Sequence, residues 1–137
     1  MVRGWDESLE TGNAIIDSQH RQLISLIDAL TDEPKSADKI LRLLNEVMDF
    51  TIIHFLSEEE LMADVNYPPD ATRTMVDQHK DFKAYARLRI LEFRQDKSFN
   101  IIPFQSFVMN RLKVHEFELD RQLADWIRQQ NGTSRAA

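Results

Sequence analysis

Four stretches of this chain carry apolar residues at every third or fourth position, and each of the four stripes holds one histidine. Residues three or four apart share one face of a helix, and an apolar face must be buried against other faces like it. The first stretch, from about Asp17 to Leu30, presents His20, Leu23, Ile27 and Leu30. The second, from about Ala37 to Val65, presents Leu44, Val47, Thr51, His54, Glu58 and Leu61. The third, from about Ala71 to Phe93, presents Met75, His79, Phe82, Ala86, Ile90 and Phe93. The fourth, from about Pro103 to Arg128, presents Val108, Leu112, His115, Leu119, Leu123 and Trp126.

The breaks between stretches fit this pattern. Ser36, after Pro34 and Lys35, is placed to cap the second helix, and Asp38 suits its first turn. Pro68 and Pro69 stop the second helix before the third, and Pro103 suits a helix start. Connections this short make consecutive helices antiparallel. The expected fold is therefore all-α: an up-down-up-down four-helix bundle with an irregular N-terminal arm over residues 1–16, where Thr11, Gly12 and Asn13 interrupt any early helix. A chain of 137 residues fits one domain, 1–137. The polar end from about residue 130 to 137 reads as a flexible tail: a frayed end, a linker or a cloning remnant.

Composition narrows the partners. A net charge of −6 disfavours nucleic acid and anionic membrane surfaces. With no cysteine, disulfides and thiolate metal sites are excluded. No run approaches the ~20 apolar residues of a membrane span, and the N-terminus carries no secretory pattern, so a cytoplasmic location is expected.

All the histidines of the chain, His20, His54, His79 and His115, lie on the apolar stripes. A buried histidine or carboxylate is costly unless it is paired or coordinated, and a single core histidine is more often a hydrogen-bonded residue than a ligand. One histidine on each of four stripes shifts that balance toward coordination. His54 and Glu58, four apart, project from one face. His115 and Asp120 are five apart, which requires a rotated side chain or local unwinding. Four imidazoles and two carboxylates exceed what one tetrahedral zinc site uses, and they suit iron, manganese or zinc in a two-metal centre. A ferritin-like site would need two Glu-x-x-His motifs; the chain has none, and the nearest stretch is Asp17-Ser18-Gln19-His20.

Several motifs in combination carry a family resemblance. They are Trp5-Asp6, Thr11-Gly12-Asn13, Ile16-Asp17-Ser18-Gln19-His20, His54-Phe55-x-x-Glu58-Glu59-x-Leu61-Met62, Tyr67-Pro68, His79-x-x-Phe82 and His115 with Asp120. On these the chain resembles the hemerythrins, most closely the bacteriohemerythrin (hemerythrin-like) domains. The resemblance implies a non-heme di-iron centre, with His20 and His54 on one iron, His79 and His115 on the other, and Glu58 and Asp120 bridging. It also implies an oxo or hydroxo group between the irons and dioxygen or a small anion as the exogenous ligand. The family usually has a further histidine four residues before the position of His79, where this chain has Met75. A thioether is a poor ligand for ferric iron, so the His79/His115 iron is expected to lack one protein ligand. The bland reading of Met75 is core packing.

Among other residues, Glu59, Glu60 and Asp64 read as a solvated face, with Glu59 also placed to support a ligand. Phe55, Phe82, Phe93, Phe107 and Trp126 read as core or pocket wall, Met62 as pocket lining or packing, and Trp5 as the pin of the N-terminal arm. The expected function is a non-enzymatic di-iron protein that binds dioxygen and senses oxygen or redox state, as the input to a fused C-terminal signalling domain. An oxygen carrier or store, a di-iron oxidase or peroxidase-like enzyme, and a metal-free interaction bundle are the alternatives.

Overall fold

A computed structural model describes Trp5, residues 7–98 and residues 100–136, the side chains of residues 115, 116 and 132–136 excepted. A short 3-10 turn, Glu7–Leu9, precedes α1 (Ala14–Asp28), α2 (Ala37–Asp64) and α3 (Pro69–Gln95). The fourth rod is α4 (Ile101–Arg111), a π-helical turn (Leu112–Glu116) and α5 (Phe117–Ala136). No strand occurs among the described residues, and no described helix is long and apolar enough to cross a membrane. The all-helical four-rod architecture is the one the stripes predict.

Helix ends differ from the sequence reading by a few residues, for identifiable reasons. α1 begins at Ala14, not near Asp17, because Asn13 is its N-cap and its side chain accepts from the backbone of Ile15 and Ile16 at 3.1 and 3.0 Å. Thr11, Gly12 and Asn13 thus start the helix they were expected to break. Gly12 holds φ +90°, which an L side chain rarely adopts. The Asp17 carboxylate accepts from the Thr11 and Gly12 backbone and the Thr11 hydroxyl at 2.8 to 3.2 Å, fixing the entry of the chain. Ser36 caps α2 as expected, accepting from Lys39 at 3.2 Å. α2 ends where Asn66 takes φ +51° and the Tyr67 N–H bonds back to Met62. α3 starts at Pro69, and α4 starts two residues before Pro103, since a first turn needs no intrahelical N–H donor. α5 continues helical to Ala136, past the end expected near residue 130.

The stripes of the first three helices are buried as read, except that Leu61 is half-buried and Met62 takes the inner position. The fourth departs after Leu112. Among the described side chains the next buried residue is Phe117, five positions on, followed by Asp120, Leu123 and Ala124. The π turn accounts for this: the Phe117 N–H bonds to the Leu112 carbonyl, an i→i+5 closure that absorbs one extra residue. It is a local unwinding in the segment that leads from His115 to Asp120. Leu119 and Trp126 are consequently half-buried, and Phe107, expected inside, is 41% exposed.

The core has two parts. The larger contains Leu23, Ile27, Phe55, Phe82, Phe93, Val108 and Phe117, and Trp5 packs on it, its ring 6.2 Å from Phe117. The smaller contains Ile16, Met62, Met75, Leu123 and Ala124. On every helix a polar residue separates the two. His20 lies between Ile16 and Leu23, Glu58 between Phe55 and Met62, His79 between Met75 and Phe82, and Asp120 between Phe117 and Leu123. The order reverses from α1 to α2 and again from α2 to α3, as antiparallel neighbours require.

Candidate metal centre

The polar layer between the two apolar clusters contains His20, His54, Glu58, His79 and Asp120, each no more than 1% exposed. They come from four different rods, with His54 and Glu58 sharing α2, and the register of the stripes brings them together. The side chain of His115, the sixth residue expected here, lies outside the described residues; its backbone is in the π turn.

Distances divide the layer into two ends. At one, Asp120 Oδ2 is 2.6 Å from His20 Nε2 and 3.5 Å from His54 Nε2. These three groups offer ligand atoms within 4.8 Å of one another. At the other, Glu58 Oε1 is 2.6 Å from His54 Nε2 and 3.8 Å from His79 Nε2. Glu58 therefore stands between the two ends. The described contacts of Asp120 are with the His20/His54 end and with Glu58.

The outer nitrogens fix the tautomers. His54 Nδ1 donates to Gln19 Oε1 at 2.6 Å, and the Gln19 amide nitrogen donates to Ser57 Oγ at 3.3 Å, which orients the amide. His79 Nδ1 donates to Glu59 Oε2 at 3.0 Å. With Nδ1 bound to an acceptor, Nε2 of each ring turns toward the centre. Two rings are also held by stacking: His20 on Phe117 and His79 on Phe55, both with centroids 3.8 Å apart.

Four atoms facing this layer are buried without a hydrogen-bond partner: both Glu58 oxygens, His79 Nε2 and Asp120 Oδ1. His20 Nδ1, the other nitrogen of that ring, is also unpartnered. The 2.6 Å approach of Glu58 to His54 lacks hydrogen-bond alignment. Such a close, misaligned pair resembles two ligands of one ion, whose donor atoms sit about 3 Å apart when metal–ligand bonds are about 2.1 Å. Orphaned buried acceptors are rare and costly. Hard oxygen and imidazole donors pointing at one another fit a divalent or trivalent cation.

The electrostatics lead the same way. Burial, and then the Asp120 charge beside it, push the Glu58 carboxyl well above its ordinary range. Burial also opposes ionisation of Asp120, but the close approach of Glu58, His20 and His54 outweighs it and holds that group low. Burial lowers His20 and His79 despite their carboxylate partners. For His54 the carboxylates win over burial and raise it to about 10. Two converging carboxylates thus draw a positive charge into the layer. A metal ion bound there would compete with protons for the same imidazole nitrogens and carboxylate oxygens.

Sequence reasoning missed Gln19 and Phe117 and gave Glu59 first to the solvated face. Gln19 adjoins His20 and Glu59 adjoins Glu58, but neither lies on a stripe, so periodicity did not mark them. Met75 is 1% exposed and packs with Ile16, Met62 and Leu123, whereas Arg73 and Asp77 are exposed.

The family model described as "Hemerythrin HHE cation binding domain" matches residues 11–131. A bacteriohemerythrin of Pseudomonas paraeruginosa is 37% identical over 65 residues, which is 46% of this chain and 42% of that protein. A hemerythrin-like protein of Naegleria gruberi is 41% identical over 63 residues, covering 46% of this chain and 50% of its own length. These matches span half or less of the relatives' length. A bacteriohemerythrin of Clostridium acetobutylicum is 27% identical over 128 residues, covering 88% of this chain and 98% of its own. No solved structure gives a significant match. Since the family match begins before His20 and ends after Asp120, the whole buried layer falls inside it, and the chain belongs to the hemerythrin family of cation-binding domains.

Proposed function

We propose that this chain holds two iron ions between His20, His54, Glu58, His79, His115 and Asp120, and binds dioxygen or a small anion there. The observation that carries the reading is Glu58, fully buried between His54 and His79 with both oxygens lacking a hydrogen-bond partner. A carboxylate in that position would be available as a ligand to a cation at either end. The iron pair supplies reversible redox chemistry and small-ligand binding. The protein supplies four imidazoles, two carboxylates and apolar walls that keep bulk water from the layer. The names of the relatives, bacteriohemerythrin and hemerythrin-like protein, support the choice of iron.

The decisive experiment is metal analysis with optical spectra of the reduced, air-exposed and azide-treated protein. Two irons per chain with oxo-bridge absorption is the expected result. A chain that refuses ferrous ion when reconstituted without oxygen overturns the reading.

We favour sensing over storage because Met75 occupies the place of the family's usual additional histidine, leaving coordination at the His79 end open to exchange. Asp120 on α5 and Glu58 on α2 connect the metal layer to two helices, so a change in iron state would move them relative to one another. The C-terminal helix would then carry the signal to a fused cytoplasmic signalling domain. Identical structure and identical hydrogen exchange in the diferrous and diferric forms would defeat the sensor reading. Met75→His should slow autoxidation; unchanged kinetics would remove the role given to Met75. The protein is read as a binder and not as an oxidase or peroxidase, and steady turnover with a reductant and dioxygen would reverse that.

A further inference from the structure

The two histidines whose outer nitrogens are bonded differ in what holds them. His54 Nδ1 meets a neutral amide, Gln19, at 2.6 Å, whereas His79 Nδ1 meets a carboxylate, Glu59, at 3.0 Å. Gln19 is itself tied to Ser57. Glu59 is 33% exposed and lines an open pocket of about 560 Å³ between the end of α2 and the start of α3, with Tyr67, Arg73, Asp77 and Lys80 around it. A carboxylate accepting from imidazole N–H fixes the ring and makes its other nitrogen a stronger donor than a neutral acceptor does.

We infer that Glu59 is a positioning residue for the metal end at His79, and that the Glu59/Gln19 difference makes the two ends of the centre unequal. The inference rests on the two-metal reading above. Glu59 holds the His79 ring with Nε2 directed inward and strengthens it as a donor, offsetting the thinner ligand set next to Met75. Gln19 only orients His54. Both outer partners are half-buried, so the difference between the two ends lies in the charge of the acceptor and not in access to water.

The test uses the full chain and cobalt(II) as the probe. Wild type, Glu59→Leu, Glu59→Gln and Gln19→Leu are titrated without oxygen and followed by visible absorption and by the paramagnetically shifted imidazole N–H resonances. Wild type should take two cobalt ions. Glu59→Leu should weaken one of them about ten- to a hundredfold, the usual loss for an outer partner of a ligand, and leave the other unchanged. Glu59→Gln should recover most of the affinity, because an amide still accepts, while shifting the His79 N–H resonance and not that of His54. Gln19→Leu should weaken the opposite ion. Two unchanged affinities in Glu59→Leu overturn the inference, as does equal weakening of both ions. A wild-type chain that binds no cobalt overturns the metal reading itself, and this inference with it.

Discussion

Replacing Glu58 by glutamine separates the cost of the buried layer from its use. The side chain keeps its shape and can still accept one bond from His54, but it can no longer bridge two cations as an anion. In the metal-free protein four layer-facing atoms lack partners, two of them on Glu58, each at a cost of about 1–3 kcal/mol. Glu58→Gln should therefore leave the metal-free stability within about 1 kcal/mol of wild type. The metal-bound form should behave differently. An ion present at a thousand times its Kd stabilises the fold by about 4 kcal/mol. For 137 residues, at about 2.1 cal/mol/K per residue, the unfolding entropy is about 0.29 kcal/mol/K, so each kcal/mol moves Tm by about 3.5 °C. Two ions should raise the wild-type Tm by about 28 °C, and Glu58→Gln should lose half of that or more. Calorimetry with and without ferrous ion under nitrogen reads both numbers. A Tm that ignores metal, or a Glu58→Gln protein that keeps the full rise, would refute the assignment of Glu58 as a ligand.

Other predictions concern the scaffold. Deleting Val114, which is exposed in the π turn, makes Leu112 and Phe117 four apart and restores an unbroken α-helix. Helicity and metal-free Tm should hold, whereas deleting Glu118 turns Asp120 about 100° away from the layer and should abolish metal binding; circular dichroism and metal analysis compare the two. Asn13→Ala removes the α1 cap and should cost about 1 kcal/mol, seen as a fall of about 3–4 °C in Tm. Phe117→Ala removes the ring stacked on His20 from a fully packed position and should cost about 3–5 kcal/mol by denaturant titration. It should also weaken metal binding at the His20 end.

The four helices were legible because their signal is repetitive. Met75, His79, Phe82, Ala86, Ile90 and Phe93 share one face of α3, and all six are buried. Helix ends were less legible because a single side chain decides them. Asn13 can break a helix or begin one, and only its bonds to Ile15 and Ile16 show which it does. The fourth rod failed past Leu112 because a fixed period cannot represent a π turn; the five-residue spacing of His115 and Asp120 allowed either local unwinding or a rotated side chain. His20, His54, Glu58 and His79 were visible as polar interruptions of apolar faces, whereas Asp120, off the predicted stripe, was marked by the family resemblance. Gln19 and Glu59 were not, since residues at the edge of a face look the same whether they meet water or an imidazole.

Because the metal layer cuts the interior in two, the bundle is not uniformly robust. The larger apolar cluster has enough packed aromatic mass to hold its half closed. The five buried residues of the smaller cluster, Met75 among them, have only half-buried neighbours on one side and the polar layer as a floor on the other. Strip the metal and that small end should breathe first, with amide exchange quickening around Met62, Met75 and Leu123 while Phe82 and Val108 stay quiet. On the two-metal proposal the ions would act as the keystone of an arch, and their loss would be felt at one end of the molecule before it is felt everywhere.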